Sequence, residues 1–129
     1  MVSLLLDSQL AVWWQSGDRR LSPQARDLVS GADGDVLVSR ATLWELTIKA
    51  SSGKLRMDVT MFASRVDEMG FSWLSITNEH ILRVADLTRH RDHRDQFDHM
   101  LVAQALSESL TLLTADRKLE RYGDFVRVV

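Results

Sequence analysis

Five short apolar segments, separated by stretches of helical character, constrain the fold of this chain more than any other feature. They read SLLL (3–6), DVLVS (35–39), FSWLSI (71–76), LTLLTA (110–115) and FVRVV (125–129). Strands that alternate with helices in this way form right-handed βαβ units. The sequence therefore predicts an α/β fold, with a central parallel sheet of about five short strands and helices on both of its faces.

The segments between the strands have the patterns and end signals of helices. Ser22 is suited to cap a helix that begins at Pro23, and Thr77 or Asn78 to cap another. The other predicted helices are SQLAVWWQ (8–15), RATLWELTIKA (40–50), DVTMFASRVDEM (58–69), a helix from about 96 to 107, and DRKLERY (116–122).

Length and composition favour a single domain over residues 1–129, because 129 residues suffice for one buried core. The absence of cysteine excludes disulfides and thiolate metal sites, and the first residues lack a signal peptide or membrane span. We therefore expect a cytoplasmic protein with no membrane association. The net charge of −2 gives no overall attraction to nucleic acid, so a polyanion would need a local basic patch or metal ions.

Acidic residues follow two of the predicted strands, where parallel sheets bind their ligands. Asp7 comes directly after the first strand and Asp116 directly after the fourth. Each also precedes a predicted helix, and aspartate is a preferred N-cap, so capping alone would explain either residue.

Two further acids lie within predicted helices. Glu45 is placed mid-helix, where an ion pair with Lys49 is the structural alternative to a functional role. Its apolar neighbours in LWEL suggest that it is drawn toward the core. Asp98 shares a helical face with Leu101, Val102 and Ala105. Asp95 is able to cap that helix, which leaves Asp98 free for another task.

Carboxylates gathered at one sheet edge repel each other unless a cation neutralises them. An all-oxygen ligand set without cysteine favours Mg²⁺ or Mn²⁺ over zinc. The four histidines show no metal-binding spacing, and we interpret them as loop or surface residues: His80, His90, His93 and His99.

Three segments together resemble the PIN-domain nucleases, and specifically the VapC-type toxins of toxin–antitoxin pairs. They are LLLDSQLAVWW, SRATLWELTIKASSGKL and HRDQFDHMLVAQALSESLTLLTADRKLERY. The resemblance covers nearly the whole chain and implies a metal-dependent ribonuclease, with Mg²⁺ or Mn²⁺ bound by an acidic quartet. The family's acids fall on Asp7, Glu45, Asp98 and Asp116, with Asp95 as an additional acid.

The resemblance also implies roles for these residues. Asp7 and Asp98 would bind the main cation directly, while Glu45 and Asp116 would complete its shell. Two departures retain every ligand: DQFD replaces the usual Asp-Pro-Phe-Asp, and Ser8 replaces a threonine, keeping a hydroxyl for water or metal orientation.

The same resemblance implies three partners: an RNA substrate, an antitoxin that covers the acidic site, and a second copy of the chain in a homodimer. Arg91, Arg94 and Arg117 flank the acids in sequence and are candidates to bind phosphates, although arginines in charged loops are commonly only solvated.

Two other classes of function remain open from the sequence. One is a catalytically silent PIN-like module that binds RNA or protein. The other is a phosphoacceptor domain, in which an aspartate at a strand end is phosphorylated. That class needs an acidic pair after the first strand, where LLLDSQ offers one acid, and a lysine at a strand end, where Lys118 is poorly placed.

Overall fold

The computed structural model describes residues 1–129 as a sheet covered by helices. The strands are β1 (Leu4–Leu6), β2 (Val36–Ser39), β3 (Ser72–Leu74), β4 (Thr111–Thr114) and β5 (Val126–Val128). The helices are α1 (Ser8–Ser16), α2 (Pro23–Ser30), α3 (Arg40–Ser51), α4 (Val59–Glu68), α5 (Asn78–Val84) and α6 (Gln96–Glu108), followed by a 3₁₀ helix (Arg117–Tyr122). Crossing a lipid bilayer would require a longer apolar helix than any of these.

All five strands are parallel and lie in the order β3-β2-β1-β4-β5. From the central β1 the chain moves outward through β2 and β3, and then returns to the other side of β1 to form β4 and β5. Leu6 of β1 pairs in register with Leu113 of β4. This reversal opens a crevice beyond the carboxyl ends of β1 and β4, the usual ligand site of such sheets. The predicted parallel α/β fold is confirmed.

Each face of the sheet has its own apolar core, because successive residues of a strand point to opposite faces. Leu4 and Leu6 belong to the core shared with α1 to α4. Leu5 belongs to the second core, which includes Leu101 of α6 and Leu119 of the 3₁₀ helix. Burial on both faces explains why β1 is apolar at every position.

A buried polar contact fixes α3 against α6. The Ser39 hydroxyl accepts a hydrogen bond from the backbone N–H of Ala41 at 3.0 Å, capping α3, and donates one to Oε1 of Gln104 at 2.6 Å. Ser39 and Gln104 are both fully buried, so an unpaired group at either position would be costly. The contact holds the helix that carries Glu45 against the helix that carries Asp98.

Candidate metal-binding and active site

Asp7 is buried at the end of β1 and caps α1. The Leu10 backbone N–H donates to its Oδ1 at 2.8 Å, and the Thr114 hydroxyl donates to its Oδ2. Burial raises the pKa of Asp7 to about 6, although these two hydrogen bonds act to lower it. The expected capping role is therefore present, but a cap of this kind normally lies at the surface. Capping therefore does not explain why Asp7 is buried.

Asp116 follows β4 and caps the 3₁₀ helix, with Oδ1 accepting from the Lys118 backbone N–H at 2.9 Å. Its own backbone N–H donates to the Thr114 hydroxyl oxygen at 3.0 Å. Thr114 thus links Asp7 and Asp116 directly. Thr114 could not be recognised from the sequence, because only the pairing of β4 with β1 brings it to Asp7.

Glu45 is buried in the middle of α3, with 6% of its surface exposed. The Ser8 hydroxyl donates to Oε1 and the Lys49 ammonium group donates to Oε2, both at 2.7 Å. Ser8 also lies 3.0 Å from the Thr42 hydroxyl. The alternative ion pair with Lys49 is therefore real, and it coexists with a position inside the cleft.

The expected burial of Glu45 is confirmed, but its apolar neighbours explain it only in part, since Leu46 is buried in the core while Trp44 is exposed. Its apolar neighbours Trp44 and Ile48 do not enclose it, since they are 55% and 43% exposed. The carboxylate is instead covered from α1, where Ser8 contacts it. Packing between α1 and α3 is a tertiary feature that the local pattern around Glu45 does not contain.

Asp98 lies in the first turn of α6, on the face that buries Leu101 and Val102 as predicted. Asp95 caps the helix: its Oδ1 accepts from the backbone N–H groups of Phe97 and Asp98 at 2.9 and 3.1 Å. Burial, followed by the charge of Asp95, raises the pKa of Asp98. One acid thus serves the helix end and the other faces the cleft.

One cleft of about 380 Å³ receives all of the predicted acids. Its lining includes Asp7, Ser8, Glu45, Asp95, Asp98 and Asp116, together with Lys49 and the Asp18–Arg20 ion pair at 2.8 Å. The acids come from four separate segments and from both faces of the sheet. Asp98 raises the pKa of Asp7, and Glu45 raises that of Asp98, which shows that these charges act on one another.

The donor set fits a hard divalent cation. One ligand atom each from His93, Asp98 and Asp116 lie within 4.8 Å of one another. Carboxylate oxygens dominate the cleft, thiolates are absent, and a single imidazole is nearby, which suits Mg²⁺ or Mn²⁺ better than zinc.

The interpretation of the histidines as loop or surface residues was wrong for His80 in α5 and for His99, which is half-buried in α6. His90 and His93 do lie in the loop before α6, but His93 is buried there. His80 is fully buried and completes the cap of α5, where the Thr77 backbone N–H donates to its Nδ1 at 3.1 Å. His93 is 5% exposed. Its Nε2 lies 3.1 Å from Oδ2 of Asp98, and its Nδ1 lies 2.9 Å from the Tyr122 hydroxyl.

The position of His93 beside Asp98 was missed because a regular spacing of histidines indicates only sites built from several histidines. A single histidine among carboxylates leaves no such pattern. The available signal was its position two residues before the Asp95 cap, on the segment that enters α6. A β-bridge between His90 and His93 folds this segment back toward Asp98.

The three predicted phosphate-binding arginines do not line the acidic cleft. Arg91 and Arg94 line a neighbouring cavity, and Arg117 is exposed on the 3₁₀ helix and lines neither. Proximity in sequence to Asp95 and Asp116 therefore does not place these guanidinium groups among the carboxylates.

The family model for the PIN domain matches residues 4–124. This chain, with its acidic cleft at the sheet reversal, belongs to the PIN-domain family. It is 26% identical over 131 residues to Ribonuclease VapC22 of Mycobacterium tuberculosis, covering 95% of this chain and 93% of that protein.

Solved structures share the fold at lower identity. The DNA-bound VapBC of Salmonella typhimurium matches with a TM-score of 0.70 and 18% identity, covering 100% of this chain and 98% of that chain. VapC20 of Mycobacterium tuberculosis, described as a sarcin–ricin loop cleaving toxin, matches with a TM-score of 0.65 and 18% identity, covering 93% and 95%.

Proposed function

We propose that residues 1–129 form a single nuclease domain that hydrolyses RNA phosphodiester bonds with a divalent cation, as the toxin of a toxin–antitoxin pair. The observation that carries this proposal is the convergence of Asp7, Glu45, Asp98 and Asp116 in one cleft beyond β1 and β4. Membership of the PIN-domain family and similarity to Ribonuclease VapC22 support it.

Mg²⁺ or Mn²⁺ is the cofactor of this proposal. Asp7 and Asp98 would hold the cation directly, while Glu45 and Asp116 would complete the site through water or a second cation. The high pKa of Asp7 supports this assignment, because a buried carboxylate is unfavourable until a positive charge compensates it. A bound divalent cation would lower the pKa of a water molecule and offset the charge that develops on the phosphoryl group.

The protein itself holds the carboxylates in position. Each oxygen of Asp7 accepts one hydrogen bond, from Leu10 or Thr114, and keeps lone pairs available for a ligand. Ser8 donates to Oε1 of Glu45 and so orients that carboxylate, which is the role expected of a hydroxyl next to the first acid. Because these contacts exist before any ligand binds, little ordering is required at the moment of reaction.

RNA as the substrate rests on family membership rather than on the chemistry of the cleft. In-line attack by water on phosphorus does not use the 2′-hydroxyl of RNA, so the acids alone do not select RNA over DNA. The arginines beside the site, Arg91 and Arg94, are the groups of this chain best suited to hold neighbouring phosphates, with Arg117 further along the surface.

An antitoxin and a second copy of this chain are the proposed protein partners, in the cytoplasm. Trp44 and Ile48 lie one turn apart on α3 and flank Glu45, and both are largely exposed. Trp44 packs edge-to-face on Phe97 at 5.1 Å, which extends this apolar surface toward α6. An apolar surface at the edge of an acidic cleft suits a partner segment that inserts an arginine among the carboxylates.

The decisive experiment compares RNA 5′ ends produced by the wild type, Asp7→Asn and Glu45→Gln. We expect new ends at a defined motif with the wild type alone, and their loss when EDTA removes the cation. Asp67→Asn, an exposed acid on α4, is the matched control and should cut as the wild type does. Equal cutting by the two cleft variants would exclude the catalytic assignment and favour the silent interaction module.

Two further measurements separate the remaining alternatives. Purified cognate antitoxin should abolish cleavage, and unchanged cleavage would exclude it as the partner that covers the site. Incubation with acetyl phosphate should leave Asp7 unmodified, whereas a stable acyl phosphate on Asp7 would favour the phosphoacceptor class.

A further inference from the structure

A second cavity, of about 490 Å³, lies between the end of α5 and the segment that leads into α6. Three arginines and three histidines line it, without any acidic residue: Arg89, Arg91, Arg94, His90, His93 and His99. Its volume falls within the usual range of small-molecule sites, about 300–1,000 Å³. We refer to it as the arginine pocket.

The arginine pocket carries positive charge that no side chain of this protein neutralises. The ion pairs of the chain do not include Arg89, Arg91 or Arg94. Arg94 donates through Nε to the backbone carbonyl of Arg91 at 3.2 Å, which orients its guanidinium group without neutralising it. In a chain with a net charge of −2, this local excess indicates an anionic ligand.

The floor of the pocket is suited to a flat ring with a polar edge. Val84 and Leu87, at the end of α5, supply apolar surface. The His90 ring packs edge-to-face on Tyr122 at 5.1 Å, and its buried Nε2 has no hydrogen-bond partner. A buried ring nitrogen without a partner is unfavourable. Rotation of the His90 ring toward the pocket would expose this nitrogen to a ligand that supplies a donor or acceptor.

His93 forms a common wall between the arginine pocket and the acidic cleft. It lines the pocket, while its Nε2 lies 3.1 Å from Oδ2 of Asp98 in the cleft. A polymer whose phosphate lies among the carboxylates can therefore extend past His93 into the arginine pocket.

We infer that the arginine pocket binds the nucleotide next to the scissile phosphate of an RNA strand. Arg89, Arg91 and Arg94 contact the phosphates, and the base lies on the apolar floor with its edge at His90. An acidic peptide would satisfy the arginines but would leave the floor and His90 unexplained. This inference rests on the proposed nuclease function and adds a site for substrate selection to it.

Salt dependence of RNA binding tests the phosphate contacts. The Asp7→Asn protein with Mg²⁺ and a fluorescent single-stranded RNA gives the slope of log affinity against log salt concentration. Arg91→Ala and Arg94→Ala should each reduce this slope by about 0.7. Arg65→Ala, an exposed arginine on α4, is the matched control and should leave it unchanged. Slopes equal to that of the control would overturn the inference.

Abasic substitutions test the base contact. One missing base beside the cleavage position should weaken binding, and His90→Ala should remove that sensitivity while the melting temperature stays close to that of the parent. Binding that is equally sensitive at every position would overturn the inference. If a free 5′-mononucleotide bound as tightly as the RNA strand, the pocket would belong to a separate nucleotide and the inference would be overturned. It would also be overturned if the arginine variants weakened antitoxin binding but not RNA binding.

A failure of the pocket inference and a failure of the nuclease proposal would give different results. If the wild-type protein cuts RNA and the arginine variants behave as Arg65→Ala does, the role of the pocket is excluded and the nuclease proposal remains intact. If the wild-type protein never cuts RNA but the variants still alter the salt slope and the abasic pattern, the nuclease proposal is excluded. The pocket would then still bind a nucleotide.

Discussion

The hydroxyl group of Thr114, at the end of β4, donates a hydrogen bond to Oδ2 of Asp7, at the end of β1. The same hydroxyl oxygen accepts the backbone N–H of Asp116 at 3.0 Å. One buried side chain therefore connects two acids that are more than a hundred positions apart in sequence, and Thr114 itself lies 107 positions after Asp7.

Replacing this hydroxyl should weaken both the fold and the cation site. Thr114→Val keeps the shape of the side chain but leaves a buried oxygen of Asp7 without its donor, at a cost of about 1–3 kcal/mol in the free energy of unfolding. Loss of that donor should also raise the pKa of Asp7 further, because the hydrogen bond acts to lower it. Urea denaturation and Mn²⁺ titration measure the two effects.

Thr111→Val, in the same strand, is the matched control for this experiment. It should keep wild-type Mn²⁺ affinity, because the Thr111 side chain does not contact the acids. Equal losses in both variants would mean that Thr114 acts only through the packing of β4.

The stability of the cation-free protein should depend on pH through Asp7. The pKa of Asp7 is raised from 3.8 to about 6 by burial, so the folded protein holds this proton more tightly than the unfolded chain. The stabilisation is fully present below pH 3.8 and is lost as the pH rises through about 6. At roughly 1.4 kcal/mol per pKa unit, the difference is on the order of 3 kcal/mol.

Melting temperatures in EDTA on both sides of pH 6 measure this dependence. Asp7→Asn should lose the part of the pH dependence that belongs to Asp7 and should melt above the wild type at neutral pH. Mg²⁺ should then stabilise the wild type and have a much smaller effect on Asp7→Asn. If the melting temperatures of the wild type and of Asp7→Asn changed with pH in the same way, the assignment of this pH dependence to Asp7 would be contradicted.

Tyr122 should act as a positioning residue for Asp98, through His93. The Tyr122 hydroxyl contacts Nδ1 of His93 at 2.9 Å, and Nε2 of the same ring contacts Asp98 at 3.1 Å. Tyr122→Phe removes only the hydroxyl, and outer contacts of this kind typically change metal affinity about 10–100-fold when lost. Calorimetric titration with Mn²⁺ should show a loss at the lower end of that range.

Arg121→Ala provides the comparison for Tyr122→Phe. Arg121 lies in the same 3₁₀ helix as Tyr122, and its replacement breaks the exposed ion pair with Asp92 in the loop before α6. Such pairs contribute about 0–1 kcal/mol. Cation affinity should be preserved in this variant. If Arg121→Ala and Tyr122→Phe weakened Mn²⁺ binding equally, the effect would belong to the helix and not to the hydroxyl.

Lys49 should oppose cation binding while it holds Glu45. Its ammonium group donates to Oε2 of Glu45 at 2.7 Å, and the charges of Asp95 and Asp98 also raise its pKa. Lys49→Met removes a competing positive charge from the cleft, so Mn²⁺ affinity should rise severalfold. Without the cation, the stability cost should exceed the roughly 0.3–0.5 kcal/mol of an exposed i,i+4 pair, because the Glu45 carboxylate is buried and loses its compensating charge.

Lys54→Met serves as the control for charge alone, because Lys54 is exposed and has no ion pair. Mn²⁺ affinity in that variant should match the wild type. Unchanged or weaker Mn²⁺ binding in Lys49→Met would show that the lysine supports the site by orienting Glu45.

Much of the fold could be predicted from local patterns. The apolar run Leu4–Leu6 and the cap–proline pair Ser22 and Pro23 specify their elements without distant contacts. Acids at strand ends could be anticipated for the same reason, because the parallel sheet brings those ends to one edge.

The partners of the acids could not be predicted in this way. Thr114 reaches Asp7 only because β4 pairs with β1, and Ser8 reaches Glu45 only because α1 packs on α3. The exposure of Trp44 likewise depends on which face of α3 other elements cover.

The position of β4 next to β1 also has a consequence for when the acidic cleft forms during synthesis. Asp7 and Glu45 leave the ribosome early, but Asp98 and Asp116 belong to the final quarter of the chain. A nascent polypeptide therefore cannot assemble the full set of acids until β4 has been synthesised and has inserted beside β1. The cleft thus gains its full set of carboxylates late and in one step, after Asp7, Ser8 and Glu45 have already emerged from the ribosome.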